Sequence, residues 1–110
     1  MTQSKAILFD KKLQILAEVY KVLGHPARLA ILNYLAETQT CITGDISDQF
    51  PLARTTINQH LTELKKVGLI KGEICGSKVK YCLNTKKIRS LKISTLEFMN
   101  DLNIDFDNRC

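Results

Sequence analysis

The sequence predicts a mainly α chain that carries one small β-hairpin. Apolar residues recur at helical spacing in long stretches on both sides of the chain's middle. Two short runs rich in strand-forming residues flank Gly76-Ser77-Lys78, a turn signal. The length of 110 residues allows a single domain, 1–110. A hydrophobic fraction of 45% and a charged fraction of 25% lie in the ordinary globular range and exclude a mostly disordered chain. No apolar run approaches the roughly 18 residues of a membrane span, and residues 1–9 do not read as a secretory signal. Cysteines at 41, 75, 82 and 110 form neither a C-x-x-C pair nor a dense disulfide framework, so a reduced, cytoplasmic protein without a membrane partner is expected.

The first helix is expected over about 8–23, with Leu13, Leu16, Val19, Tyr20 and Leu23 on one face and Ile15 and Val22 widening the arc. Gly24 suits a helix C′ position and Pro26 the first turn of the next helix, with His25 capping the corner between them. That second helix, about 26–37, aligns Ala27, Ala30, Ile31, Tyr34 and Leu35. Thr43 is then expected to cap a short helix through Gln49, with Asp45 in its first turn. Phe50-Pro51-Leu52 ends it, and a longer helix of about 53–67 stops at Gly68. A short helix, a turn and a longer helix of this size suggest a helix-turn-helix over about 43–67. Strands 69–75 and 79–83 follow as a hairpin. Setting Cys75 opposite Lys78 brings Ile74 to Val79, Gly72 to Tyr81 and Ile70 to Leu83 on one inward face, with Glu73 meeting Lys80 outside. The last helix, about 85–102, spreads Ile88, Leu91, Leu96, Phe98, Met99 and Leu102 over roughly 160°, wide enough to bury two sides.

The net charge of +5 is unevenly placed. Residues 1–50 balance five basic against five acidic side chains, 51–92 carry ten against two, and 93–110 carry one against four. A basic block confined to some forty residues suggests a surface for a polyanion. Its architecture sharpens that. At 100° per residue, Ile57, Leu61 and Leu64 form the buried stripe of the 53–67 helix, while Thr55, Gln59, Thr62 and Lys66 lie opposite, with Asn58 on the shoulder. Short hydrogen-bonding side chains near a helix N-terminus suit base edges: Gln pairs bidentately with adenine, and a Thr methyl meets the thymine methyl. Arg54, Thr55, Thr56, Asn58 and Gln59 are therefore the candidate base readers. His60 sits at the stripe's edge, with backbone or phosphate as its expected partner. Ser77, Lys78 and Lys80 on the hairpin suit phosphates. Lys65 and Lys66 lie too far along the helix to enter a groove easily.

With these residues in place the chain resembles the ArsR/SmtB winged helix-turn-helix repressors. Leu23-Gly24-His25-Pro26-Ala27-Arg28-Leu29-Ala30-Ile31-Leu32 is similar to that family's helix-corner signature. Asn58-Gln59-His60-Leu61, Leu64 and Gly68-Leu69-Ile70 are similar to its recognition-helix signature, and Gly76 with Tyr81-Cys82-Leu83 fits its wing. The match runs in order over about residues 13–84. It implies a homodimeric repressor, paired through first and last helices, that binds an inverted-repeat operator in double-stranded DNA. The wide apolar arcs of those two helices fit that pairing.

There are departures. Ala53 stands where family members often begin the recognition helix with Ser, so one cap is lost. Many members sense thiophilic metals through Cys-Val-Cys-Asp-Leu, where this chain has Cys41-Ile42-Thr43-Gly44-Asp45-Ile46 and a single cysteine. Others bind zinc on the last helix through Asp and His pairs, yet no histidine follows His60. Neither metal set is complete. Cys75 and Cys82 lie about 13 Å apart along the expected hairpin, too far for a shared metal or a disulfide, and read as structural or incidental. Family analogy leaves Cys41 and Cys110 as a thiol sensor for arsenite, a soft metal or an oxidant. No Gly-rich phosphate loop, paired His/Glu metal motif or nucleophile elbow supports an enzyme. The rival reading is a winged-helix module that binds protein, or DNA without sequence choice.

Overall fold

A computed structural model describes residues 5–38, 42–43, 46–75 and 78–103. A short 3-10 turn, Lys5–Leu8, precedes helix α1 (Lys11–Leu23). Asp10 opens α1, its Oδ1 accepting the Lys12 N–H at 2.9 Å. The corner forms as the sequence implies at its second residue: His25 Nδ1 accepts the Ala27 N–H at 3.1 Å and so caps α2 (Pro26–Thr38). Gly24, expected in the left-handed C′ conformation, instead has φ −75°, a value any residue adopts.

The short helix is also revised. Thr43, expected to begin a short helix, lies in a two-residue strand β1 (Ile42–Thr43), and a 3-10 turn, Ile46–Gln49, precedes the long helix α3 (Arg54–Lys66). Alternation of Ile and Thr over two residues is too short a signal to have separated a strand from a helix start. Ala53 precedes α3 with no side-chain cap bond, as its lack of a hydroxyl predicts.

The α3 helix ends in a Schellman motif. Gly68 N–H donates to the Lys65 carbonyl at 3.0 Å and Leu69 N–H to the Leu64 carbonyl at 3.1 Å, with Gly68 at φ +80°. This turn aims the chain straight into β2 (Ile70–Cys75), which pairs antiparallel with β3 (Lys78–Leu83). The register is the expected one throughout, from Ile70 opposite Leu83 to Cys75 opposite Lys78. Asn84 N–H donates to the Leu69 carbonyl at 2.9 Å and closes the hairpin's base, while its side chain caps α4 (Thr85–Asp101). The small sheet has the order β1-β3-β2, with Ile42 opposite Tyr81 and Thr43 opposite Lys80.

One core joins these elements. Val19 and Val22 of α1, Ile31 and Leu35 of α2, Ile46, the α3 stripe Ile57, Leu61 and Leu64, and then Leu69 and Ile70 are buried together. Tyr81 and Leu83 from the hairpin's inward face, and Ile88 and Leu91 from α4, pack against it half-buried. The other side of α4 stays bare: Ile93, Leu96, Met99 and Leu102 are exposed, as are Leu13 and Ile15 of α1. The helices α1 and α4 meet through Lys12 Nζ and Glu97 Oε2 at 2.6 Å and through the Tyr20 and Thr95 hydroxyls at 2.6 Å.

Candidate nucleic-acid interface

The periodicity of α3 divides its side chains cleanly. Because Ile57, His60, Leu61 and Leu64 are buried, the helix is held against the core along its whole length and its opposite face is presented to solvent. Arg54, Thr55, Asn58, Gln59 and Thr62 stand exposed there, with Thr56 half-buried beside them. Thr55, Asn58, Gln59, Thr62 and Glu63 line one shallow depression on this face. Thr62 Oγ1 donates to the Asn58 carbonyl at 2.8 Å, an internal bond that leaves its methyl on the surface. Five of the six candidate contacts on α3 thus share one polar side of the helix.

His60 is the sixth, and the structure places it elsewhere. It is 6% exposed, faces α2, and its Nδ1 accepts the Arg28 Nε–H at 3.1 Å. The His25 ring lies 4.4 Å away, tilted by 52°. Accepting at Nδ1 puts the neutral imidazole's proton on Nε2. Burial lowers the His60 pKa below its ordinary 6.5, and the neighbouring His25 and Arg28 lower it further. The helical wheel placed His60 at the edge of the stripe; a donor from α2 is what drew it inside.

Arg28 is the functional residue that the contact inventory missed. Besides His60, its Nη1 donates to the Val22 carbonyl at 3.0 Å, one of the carbonyls the end of α1 leaves unpaired. One planar side chain therefore joins α1, α2 and α3. The available signal was the Pro-x-Arg spacing of the helix corner.

On the hairpin, Lys80 lies half-buried in β3, opposite Glu73. Lys78 opens the same strand, but its side chain, like the whole of Ser77, lies outside the described residues. Lys65 extends over Gly72 of β2, where a Cβ would stand 3.2 Å from Nζ, and Lys66 reaches Glu63 Oε1 at 3.3 Å. Lys65 is thus turned toward the hairpin, and Lys66 stays on the exposed side of the helix beside Glu63.

One cysteine departs from the reduced state expected of the chain. Cys82, read as structural or incidental, is disulfide-bonded. Cys41 and Cys110, the pair assigned to sensing, lie outside the described residues. Among the described residues no three His, Cys, Asp or Glu side chains group closely enough to hold a metal ion, and no helix is long and apolar enough to cross a membrane.

Comparison with known proteins accords with this geometry. A helix-turn-helix domain family matches residues 23–73, which include the corner, α3 and the start of the hairpin. An uncharacterised HTH-type transcriptional regulator of Methanocaldococcus jannaschii is 39% identical over 61 residues, 56% of this chain and 68% of that one. The transcriptional repressor SdpR of Bacillus subtilis is 30% identical over 82 residues, 74% of this chain and 90% of its own. The repressor SmtB of Mycobacterium tuberculosis is 35% identical over 66 residues, 60% of this chain but only 48% of its own length. Among solved structures, a homodimeric winged helix-turn-helix DNA-binding domain from Mycobacterium bovis, described as a possible ArsR-family regulator, superposes with a TM-score of 0.64 at 24% identity, covering 100% of this chain and 98% of that one. The cadmium sensor CMTR of Mycobacterium tuberculosis does so with a TM-score of 0.53 at 28% identity over 86% of this chain and 95% of that one. With the corner, the polar face of α3 and the hairpin in family order, this chain belongs to the ArsR/SmtB winged helix-turn-helix transcriptional regulators.

Proposed function

We propose that the protein is a homodimeric repressor that binds an inverted repeat in duplex DNA. The observation that carries this reading is the polar face of α3, held outward by the burial of Ile57, Leu61 and Leu64 on the other side. In this reading Arg54, Thr55, Thr56, Asn58 and Gln59 approach base edges in the major groove. Ser77, Lys78 and Lys80 on the wing neutralise flanking phosphates. His60 is removed from the contact set and becomes a positioning residue. The exposed apolar sides of α1 and α4 supply the surface for a second copy, and two recognition helices then lie about 34 Å apart on one face of the duplex. Occupying a promoter in this way blocks transcription from it, and a chromosomal target places the protein in the cytoplasm.

The likeness to a cadmium sensor supports a soft metal as the input; arsenite or an oxidant acting on cysteine is the alternative input in this reading. The recognition of DNA through α3 does not depend on which of these it is.

Fluorescence anisotropy of the reduced protein on DNA upstream of its own gene, competed with scrambled duplex, tests the reading. A specific repressor resists the scrambled competitor, and Gln59→Ala loses discrimination at defined base pairs. With about eight phosphates neutralised per dimer, log affinity falls against log salt with a slope near −7. Equal loss to both competitors, or no effect of Gln59→Ala, would instead identify a protein-binding or non-specific module.

A further inference from the structure

Beside Arg28 lies an open cleft of about 530 Å³, within the roughly 300–1,000 Å³ of small-molecule sites. It is walled by the end of α1, the corner into α2 and the end of α3, and none of the candidate base readers on α3 lines it. We propose that this cleft binds a small organic monocarboxylate with an aliphatic tail, and that the ligand acts on α3 through Arg28. The second half rests on the DNA-binding reading above; the binding itself does not.

Arg28 is the best-fixed group of the cleft. Its Nε–H donates to His60 and its Nη1 to the Val22 carbonyl, so the guanidinium plane is held from two sides. Three of its five N–H donors remain uncommitted among the described residues. A carboxylate takes such a planar fork with two parallel hydrogen bonds. His25, also in the lining, adds a donor: its Nδ1 accepts the Ala27 N–H, which leaves the neutral ring's proton on Nε2. Lys21 adds a cation from the last turn of α1, with no ion pair among the described residues.

The same walls limit the charge of the ligand. Lys66 is engaged by Glu63 at 3.3 Å, whereas Glu18 stands in the lining with no cation bonded to it among the described residues. The uncommitted charges are thus Lys21 and Arg28 against Glu18. That balance favours one negative charge and disfavours the dianion of a phosphate. Val22 and Val67 supply the apolar part of the lining, where a hydrocarbon tail gains about fourfold in affinity per fully covered CH₂.

Occupancy reaches α3 in two ways. A carboxylate on Arg28 competes for the guanidinium that ties Val22 to His60, and so loosens α3 from the end of α1. It also offsets a cation. Burial, His25 and Arg28 hold the His60 pKa below 6.5, and neutralising the guanidinium's share brings it back up. A ligand bound elsewhere leaves that pKa where it is.

The full chain, isotope-labelled for NMR, is titrated with sodium 4-methylpentanoate, with acetate and with inorganic phosphate, each against sodium chloride of equal ionic strength. The amides of Gly24, His25 and Val67 are expected to shift with a Kd of about 1 mM or tighter for 4-methylpentanoate. Acetate, which lacks the tail, and phosphate bind at least about tenfold more weakly. The His60 ring protons then titrate at a higher pH with 4-methylpentanoate present. No shift at about 20 mM, or phosphate binding as tightly, overturns the site. Lys21→Ala, at an exposed position, weakens binding about threefold, and Arg28→Lys, which keeps the charge without the fork, weakens it about tenfold. Unchanged affinity in both overturns the location, and Lys21→Ala alone decides it if Arg28→Lys does not fold. On DNA, saturating 4-methylpentanoate weakens binding about fivefold. Equal or tighter binding overturns the action on α3, while the amide shifts and the His60 titration still decide the site. Absence of specific DNA binding without any ligand overturns the repressor reading instead.

Discussion

Along α3 and into the hairpin behind it, Ile57, Leu64, Leu69 and Ile70 are sealed within a single chain. Along α4 no side chain is buried, and Leu96 and Met99 stand 53% and 55% exposed. The two regions are similarly amphipathic in sequence, yet one has found its apolar complement within the chain and the other has not. The polar face of α3 is thus held in place by this chain's own core, whereas the apolar side of α4 has no cover among the described residues. Recognition geometry and assembly are separable properties of this fold, and they fail to different perturbations.

The most severe way to break the contrast is to empty the core beneath the recognition helix. Leu64→Ala costs about 2–5 kcal/mol in chemical denaturation, whereas Met99→Ala in dilute protein costs less than about 0.5 kcal/mol. If the two cost the same, α4 is buried in the protein as it exists. Next comes the turn that joins α3 to β2. Gly68→Ala forces a side chain into φ +80° and lowers stability by about 1 kcal/mol in the same assay.

A gentler effect follows from His60, whose folded pKa lies below its ordinary 6.5. The folded state binds this proton less readily than the unfolded chain. The contribution is therefore complete above pH 6.5 and declines as pH falls from 6.5 towards the lowered value. Protonating Nδ1 also sets an N–H against the Arg28 donor. Glu18, Lys21, Glu63 and Lys66 line the cleft beside this pair. Melting temperature followed from pH 7.5 to 5 falls in the wild type, and His60→Asn, which keeps an acceptor but does not titrate, flattens that part of the fall. Smallest of all, Lys12→Ala removes a fully exposed ion pair with Glu97 and leaves the melting temperature unchanged within error.

Much of the fold, and the division of α3 into a buried stripe and a polar face, were legible in the sequence. The hairpin register followed from one turn and period-two alternation, because a slip of one residue would have turned Ile70 and Leu83 outward. The stripe of α3 followed from the helical period. What escaped were pairings between segments distant in sequence. β1 is two residues long and exists through its contact with β3, some forty positions later; no local pattern encodes that. His60 was drawn inward by Arg28, 32 residues away. Local periodicity specifies elements, and the exceptions arise where one side chain answers to two neighbours.

The Arg28 guanidinium gives the recognition helix a mechanical anchor. Because it holds both the end of α1, through Val22, and the middle of α3, through His60, the helix with the polar outer face hangs from the helix whose apolar outer face is bare. Any partner seated on that face becomes the fulcrum. A load on the outer face of α1 is thereby carried to α3 through one planar side chain, with no contact to α3 itself.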